Sequence, residues 1–180
     1  MSDKSKVILN SIELDLTINR LSFELIENHK DFTNSVIIGL QPRGLGLSKK
    51  IHSIIESTIQ QNIPIGFLDA TFFRDDFRRR EDVIIPNKTD IKFSLEGVDV
   101  ILIDDVLFTG RSIRSALDAL ISFGRPSSIE LLVLIDRRFS RELPIQPTYI
   151  GKSIDVIDNE YVVVDIDNVN NNVVLLNNQS

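Results

Sequence analysis

The run Val100-Ile101-Leu102-Ile103-Asp104-Asp105-Val106-Leu107-Phe108-Thr109-Gly110-Arg111-Ser112 decides how this chain folds. Its first four residues are apolar and mostly β-branched, which predicts a buried parallel strand. Two carboxylates follow at the carboxyl end of that strand. A short turn then leads to Ser112, which opens a predicted helix. In open α/β sheets, ligands bind beyond the carboxyl ends of the strands.

The residues after this strand are suited to a phosphorylated sugar. A loop that runs into a helix N-terminus binds phosphate through its backbone N–H groups. Paired carboxylates such as Asp104 and Asp105 can hold two sugar hydroxyls, or a hard cation such as Mg²⁺. The segment therefore predicts a cradle for a sugar phosphate. The alternative is a solvated Asp-Asp turn ahead of an ordinary capped helix.

The composition is that of a globular protein, and 180 residues suit a single domain over 1–180. No apolar run reaches the roughly 18 residues of a membrane span, and the first six residues show no secretory signal. Without cysteine, the chain has no disulfides and no thiolate metal site. We therefore expect a cytoplasmic protein that does not enter a membrane.

Charge and histidine content narrow the classes of function further. The net charge of −6 argues against a dedicated nucleic-acid binder, because phosphate contacts need clustered Lys and Arg. The two histidines, His29 and His52, fall on predicted helices. Neither a zinc site nor a Ser-His triad is therefore expected.

A second strand–turn–helix unit precedes the first. Residues 35–40 predict a core strand, and a predicted helix runs to about Gln61. Between them lies Gln41-Pro42-Arg43-Gly44-Leu45-Gly46, where glycines permit close backbone approach to an anion and Arg43 adds a fixed positive charge. Taken alone, this is the pattern of an ordinary βα turn.

The remaining pattern completes an α/β fold. A capped amphipathic helix begins at Asn10 or Ser11, and further strands are predicted at 63–70, 129–135 and 161–164. Residues 173–176 predict an edge strand. The charged stretch at about 74–90 is long for a compact domain, and such loops are usually functional or disordered.

The Asp104–Ser112 segment resembles the fingerprint of the type I phosphoribosyltransferases. This resemblance implies a mainly parallel central sheet flanked by helices, with a small hood at about 136–160 plus the C-terminal strands. It implies that the two acids hold the ribose hydroxyls of phosphoribosyl pyrophosphate (PRPP) and engage Mg²⁺. The implied ribose-phosphate site is Asp104, Asp105, Val106, Leu107, Phe108, Thr109, Gly110, Arg111 and Ser112.

The earlier turn is similar to the pyrophosphate loop of the same family, which has a cis peptide bond. The implied pyrophosphate site is Gln41, Pro42, Arg43 and Gly44. A cis bond costs about 2.5–4 kcal/mol before an ordinary residue but only about 0.5–1 before proline. We therefore expect the Gln41–Pro42 bond to be cis.

The resemblance also gives a function to the charged stretch at about 74–90. It implies a flexible loop that closes over PRPP, which would exclude water and bring cations to the departing pyrophosphate. Arg74 and Arg78 are the candidate catalytic residues there, with Asp75 and Asp76 as helpers.

Several shorter motifs narrow the resemblance to the PyrR family of pyrimidine-operon attenuators, which are also uracil phosphoribosyltransferases. The motifs lie at 73–77, 104–111, 118–120, 124–126, 141–145 and 149–152. The likeness covers about 7–169. It implies PRPP, uracil and UMP as ligands, Mg²⁺ as cofactor, and dimers or higher homo-oligomers.

Phe108 bears on the choice of base. Purine phosphoribosyltransferases resemble this motif but have an Asp at this position, close enough to the purine N7 to act as a base. A phenyl ring cannot take a proton, which favours uracil over purines. The implied base-binding residues are Arg137, Arg138, Tyr161 and Val162. Here Arg138-Phe139-Ser140 replaces the Gly-His of relatives, a difference that falls within the implied base pocket.

Three alternatives stay open. The chain is either a uracil phosphoribosyltransferase, an RNA-binding regulator that uses the pocket as a nucleotide sensor, or a phosphoribosyltransferase for another base. The implied RNA-binding face retains Arg141 and Lys152. It has Gln146 where relatives have a basic residue, and Phe23 where they have a His.

Overall fold

A five-stranded parallel sheet forms the centre of the protein in a computed structural model that describes residues 5–73, 88–156, 160–166 and 172–178. Its strands run in the order β3–β2–β4–β5–β6. They are β2 (Ser35–Leu40), β3 (Ile65–Leu68), β4 (Asp99–Leu107), β5 (Ser128–Arg138) and β6 (Tyr149–Asp155). The predicted α/β fold is therefore confirmed.

Three helices cover the two faces of this sheet. They are α1 (Ser11–His29), α2 (Gly44–Ile59) and α3 (Arg111–Leu120). Side chains alternate across a strand, so Ile101 and Ile103 of β4 pack with α1 and α2, while Val100 and Leu102 pack with α3. Both faces of β4 are buried, which explains why its sequence is continuously apolar.

The first helix begins at one of the two predicted caps. Asn10 accepts the Glu13 N–H at 3.0 Å, and the Glu13 carboxylate accepts the Asn10 N–H at 2.9 Å. This reciprocal capping box satisfies two backbone donors of the first turn.

A smaller antiparallel sheet has the order β1–β8–β7, built from β1 (Lys6–Leu9), β7 (Glu160–Asp165) and β8 (Val173–Asn178). The prediction that 173–176 form an edge strand is wrong, because β8 pairs with β1 on one side and β7 on the other. Most of 136–155, predicted as part of the hood, lies in the main sheet or its connections. The small sheet instead combines the N-terminal strand β1 with the C-terminal strands β7 and β8.

Strand β5 is longer than predicted. It continues through Arg138, which pairs with Asp155 of β6. The polar residues after Ile135 suggested a loop, but hydrogen bonding to neighbouring strands extends the strand beyond its apolar part. Polar side chains are tolerated there because the strand has reached the edge of the core.

Candidate active site

Three neighbouring strands end at one edge of the sheet and bring the predicted site residues together. The strand register places Gly39 of β2 beside Ile103 of β4, and Leu107 of β4 beside Asp136 of β5. A cavity of about 840 Å³ opens at this edge. Its lining comes from both sheets: Leu40, Gln41, Pro42, Arg43, Asp104, Asp105, Val106, Phe108, Ser112, Arg137, Tyr161, Val162, Val163 and Val164.

Asp104 and Asp105 form the acidic floor of this cavity. Both carboxylates are buried, with exposed fractions of 7% and 5%. Burial raises the pKa of Asp104 well above its usual range, and the neighbouring Asp105 charge raises it further. Burial also raises the pKa of Asp105, while the Arg43 charge opposes that rise. Two like charges are thus held together in a poorly solvated site, where a ligand that donates hydrogen bonds relieves the cost.

The backbone fixes how the two acids are oriented. The Asp105 N–H donates to Asp104 Oδ1 at 2.9 Å, and the Val106 N–H donates to Asp105 Oδ1 at 2.7 Å. One oxygen of each carboxylate is therefore engaged locally. The cavity lining includes both residues, so the arrangement suits recognition of adjacent hydroxyls.

The turn after these acids is built to receive an anion. Gly110 has φ +90°, a conformation that favours glycine. As the N-cap residue of α3 it has no side chain that could accept a hydrogen bond, and Thr109 Oγ1 accepts the Arg111 N–H at 3.3 Å. The N–H groups of a first helical turn have no intrahelical partners. A second cavity of about 330 Å³ is lined by Asp104 and by 106–113. Leu107 contributes backbone there, because its side chain is buried in the core.

The turn at 41–44 faces the acids across the larger cavity. Its Gln41–Pro42 peptide bond is cis, as predicted. A Cβ on Gly44 would lie 2.4 Å from the Ile103 carbonyl oxygen, so only glycine lets α2 begin this close to β4. Gln41 Nε2 donates to the Lys88 carbonyl at 2.9 Å. This hydrogen bond links the turn to the described segment that begins at residue 88.

An aromatic ring and a buried guanidinium lie at another part of the cavity. The Arg137 guanidinium lies 3.9 Å from the centroid of the Phe108 ring, within cation–π distance. Its Nη2 donates to the Glu160 carbonyl at 3.1 Å, whereas its buried Nε has no hydrogen-bond partner among the described residues. Burial lowers the pKa of Arg137. A flat ligand with carbonyl oxygens would suit this position.

The structure separates Arg138 from the other predicted base-binding residues. Tyr161, Val162 and Arg137 line the cavity, but Arg138 does not, because successive side chains of a strand point to opposite faces. Its guanidinium instead binds both carboxylate oxygens of Asp155, at 2.8 and 3.0 Å. We therefore withdraw the prediction that Arg138 contacts the base.

Comparison with known proteins agrees with this geometry. The phosphoribosyl transferase domain family matches residues 6–168. A protein named bifunctional protein PyrR from Streptococcus equi subsp. zooepidemicus is 41% identical over 91% of each chain. One with the same name from Caldicellulosiruptor bescii is 40% identical over 94% of this chain and 92% of its own. This chain belongs to the phosphoribosyltransferase family, and within it to the PyrR proteins.

Solved structures agree with the fold of this phosphoribosyltransferase. A hypoxanthine phosphoribosyltransferase from Staphylococcus aureus is 26% identical, with a TM-score of 0.62 over 88% of this chain and 81% of its own. One from Trypanosoma cruzi aligns over 97% of both chains with a TM-score of 0.71, at 15% identity. The second likeness supports the fold alone.

The donor set of this phosphoribosyltransferase fits Mg²⁺ bound together with a substrate. No group of three or more potential metal-ligating side chains occurs among the described residues, so a cage made only of protein ligands is absent from that part of the chain. Mg²⁺ usually keeps several waters and binds one or two carboxylates plus substrate phosphates. Asp104 and Asp105 can supply that pair of carboxylates.

Two predicted groups remain to be placed. Arg74 and Arg78 lie outside the described residues, as do Asp75 and Asp76.

No helix in the described parts of this phosphoribosyltransferase has the length and apolarity to cross a membrane.

Sequence reasoning missed some of the lining. Leu40 and Val164 read as ordinary strand residues, and no local signal shows that they line the cavity. The Glu160 carbonyl that accepts from Arg137 belongs to the backbone, so its side-chain identity could not have revealed it.

Proposed function

We propose that this phosphoribosyltransferase converts uracil and PRPP to UMP and pyrophosphate. N1 of uracil forms the new bond to C1 of the ribose. The bond from C1 to the pyrophosphate oxygen breaks, its electron pair leaves on pyrophosphate, and the N1 proton is released. Because positive charge grows on the ribose ring, the protein's task is mainly positioning and electrostatic stabilisation.

The acid pair and the two turns divide PRPP between them. Asp104 and Asp105 accept hydrogen bonds from the ribose 2′- and 3′-hydroxyls, and the turn at 106–112 binds the 5′-phosphate through backbone N–H groups. Arg43 stabilises negative charge on the leaving pyrophosphate. Bound Mg²⁺, held by the acid pair, would add further neutralisation of that charge.

One observation carries the choice of uracil. Among the described residues that line the larger cavity, Asp104 and Asp105 are the only carboxylates, and both are committed to the ribose. The phenyl ring of Phe108 cannot accept a proton from any base. The ring N–H of uracil is acidic enough to react with little help, whereas a purine would lack a partner for N7.

Arg137 supports a base that carries a carbonyl oxygen. Its buried Nε–H has no acceptor within the described residues, and a buried donor without an acceptor costs about 1–3 kcal/mol. A uracil carbonyl would supply the acceptor. Backbone groups of β7 near Tyr161 and Val162 would read the remaining polar edge of the base.

Pyrophosphate release from PRPP with Mg²⁺ tests this proposal across uracil, hypoxanthine, guanine, adenine and orotate. We expect turnover with uracil, and at least about 100-fold lower kcat/KM with the other bases, a difference that unpaired buried polar groups can produce. Preferred turnover with a purine or with orotate would replace the base assignment. No turnover with any base would reject the enzymatic proposal.

A second function is suggested by the relatives, which are named bifunctional proteins. The resemblance implies that this second activity is attenuation through RNA binding. The two basic residues retained from the implied RNA-binding face have partners within the chain. Lys152 Nζ donates to the Ile8 carbonyl at 3.0 Å, and Arg141 binds the Phe108 carbonyl and Asp136. Phe23 is half exposed.

Gel-shift titration with pyrimidine leader RNA tests the second function. If the chain binds RNA through basic residues, its affinity for RNA falls steeply as the salt concentration rises. If the pocket acts as a nucleotide sensor, the affinity for RNA also changes when UMP is bound. Binding that is weak and insensitive to UMP would leave catalysis as the function. Sedimentation of the same samples measures the dimer that the resemblance implies.

A further inference from the structure

Residues 141–143 contact the turn at 106–112 from outside the cavities. We call residues 141–143 the bracket segment and residues 106–112 the phosphate loop. Arg141 donates through Nη1 to the Phe108 carbonyl and through Nη2 to the Asp136 carboxylate. The N–H groups of Glu142 and Leu143 both donate to the Thr109 carbonyl, at 3.0 and 3.2 Å.

A side-chain ion pair adds to these backbone contacts. The Glu142 carboxylate lies 2.6 Å from Nε of Arg111, at the first residue of α3. The bracket segment therefore engages two consecutive carbonyls of the phosphate loop and the start of the helix that follows. Sequence separation is about 30 residues, so this contact depends on the tertiary fold.

The direction of these carbonyls determines the direction of the loop's donors. In a trans peptide unit the C=O and the following N–H point in opposite directions. Because the Phe108 and Thr109 carbonyls point at the bracket segment, the N–H groups of Thr109 and Gly110 point away from it. Both residues line the smaller cavity, and no residue of the bracket segment does. The bracket therefore turns donors towards an anion without contacting it.

We propose that Arg141 is a positioning residue that holds the phosphate loop in its anion-binding conformation. This inference rests on the proposed function for the identity of the ligand, a sugar 5′-phosphate. Arg141 acts through the Phe108 peptide, and Asp136 fixes the guanidinium from the other side. The Arg141 and Asp136 side chains are mostly buried, with exposed fractions of 22% and 12%, so solvent screens the contact little.

The shape of arginine suits this role better than charge alone. A planar guanidinium presents several donors in a fixed geometry, so it reaches a carbonyl and a carboxylate at once, whereas lysine offers a single flexible ammonium. Substitution by lysine should thus keep the charge but lose the simultaneous contact.

Calorimetric binding to Arg141→Gln separates this role from a general loss of structure. We expect the Kd for UMP to rise about tenfold, while the Kd for Mg²⁺-pyrophosphate changes less than twofold, because pyrophosphate binds at the turn of 41–44. The KM for PRPP should rise. The kcat at saturating PRPP should stay within about twofold of the wild-type value. Arg141→Lys should recover only part of the affinity. Arg138→Gln, an exposed arginine on the adjoining strand, is the matched control.

Three results would overturn the proposal. Equal losses of UMP and pyrophosphate binding, with a lowered Tm, would make Arg141 a structural residue only. Unchanged UMP binding would remove the role altogether, and full recovery by lysine would show that charge and not geometry matters. If the wild type binds UMP in an Arg141-dependent way but does not turn over uracil, the proposed function fails and this inference stands. If the wild type binds neither UMP nor PRPP, both fail.

Discussion

The two ends of the central sheet bury polar groups in opposite ways. At the amino ends of the strands, His29 lies between Ser35 and Glu130, with ring nitrogens 2.8 Å from Ser35 Oγ and 2.9 Å from Glu130 Oε2. The Tyr149 hydroxyl donates to the same carboxylate at 2.7 Å and accepts from Asn28 at 3.2 Å. Donors there meet acceptors, and the cluster joins α1 to β2, β5 and β6.

At the carboxyl ends, like charges are placed side by side. Asp104 and Asp105 are both acceptors when ionised, and each receives only a local backbone N–H within the described part of the chain. Nearby, the buried Nε of Arg137 has no partner there. Among the described residues, the polar cluster at the amino ends of the strands therefore satisfies its hydrogen bonding within the protein. The polar groups at the carboxyl ends need a ligand to complete theirs. We infer that the first serves stability and the second function.

Substitution at the acid pair tests the functional end and should have the largest effect. Asp105→Asn keeps the shape but removes a charge that the proposed reaction needs. We expect uracil turnover to fall at least about 100-fold, or about 2.7 kcal/mol in the activation free energy, with no loss of Tm. Steady-state pyrophosphate release and thermal denaturation measure both. A lowered Tm with retained turnover would reverse the assignment of this end.

Substitution at Glu130 tests the stabilising end. Glu130→Ala leaves the Tyr149 hydroxyl and the His29 ring without their shared acceptor in a partly buried site. We expect a loss of about 2 kcal/mol in the free energy of unfolding, or about 4–8 °C in Tm, with kcat/KM at 25 °C unchanged. Glu130→Gln, which keeps an acceptor oxygen, is the control and should lose less. A change in kcat/KM without a change in Tm would contradict this prediction.

The pH dependence of stability sharpens the contrast. Because burial raises the pKa of Asp104 in the folded chain above its unfolded value, the folded state binds a proton that the unfolded state releases. That contribution favours folding at acid pH and is lost as the pH rises through the folded-state pKa.

Asp104→Asn should therefore be more stable than the wild type near neutral pH, and the difference should shrink as the pH falls towards the ordinary aspartate value of 3.8. Denaturant titrations of the ligand-free proteins at several pH values measure this, with Glu130→Gln as a variant remote from the acid pair. A difference independent of pH would show that Asp104 charge does not oppose folding. In the proposed complex the ribose hydroxyls donate to the ionised acid pair, so PRPP should bind more tightly as the pH rises and Asp104 loses its proton.

The smallest effect is expected at Arg138, next to Arg137, whose Nε has no partner within the described part of the chain. Arg138→Ala removes an exposed pair with Asp155 and should change stability by less than about 0.5 kcal/mol, with the KM for uracil unchanged. Arg137→Ala should raise that KM. Equal effects of the two substitutions on KM would contradict the separation seen in the structure.

Local sequence was sufficient for the elements that we propose bind phosphate. The apolar run of β4 shows that both of its faces are buried, and the residues that follow it give the acid pair, the glycine turn and the helix start in one continuous stretch. The cis bond before Pro42 was predicted from the likeness of residues 41–44 to the family's pyrophosphate loop, together with the low cost of a cis bond before proline. These features are contiguous, so their spacing is visible without knowledge of the fold.

Other features of the site depend on strand pairing between distant segments. Arg137 and Arg138 are neighbours in sequence, yet the extension of β5 through pairing with β6 turns only Arg137 to the cavity. The central position of β8 depends on its pairing with β1, more than 160 residues earlier in the chain. No local periodicity encodes such a partner.

The sequence by itself determined the α/β fold, because the fold follows from local patterns of burial. It also determined the family and the two turns of the candidate PRPP site, because these are contiguous motifs that resemble those of the phosphoribosyltransferases. Only the tertiary structure decided that Arg138 does not line the cavity and that the Arg137 Nε has no partner among the described residues. It alone placed Arg141 behind the phosphate loop. Those outcomes depend on which strands pair and which way each side chain then points, and both are set by contacts between residues far apart in the chain.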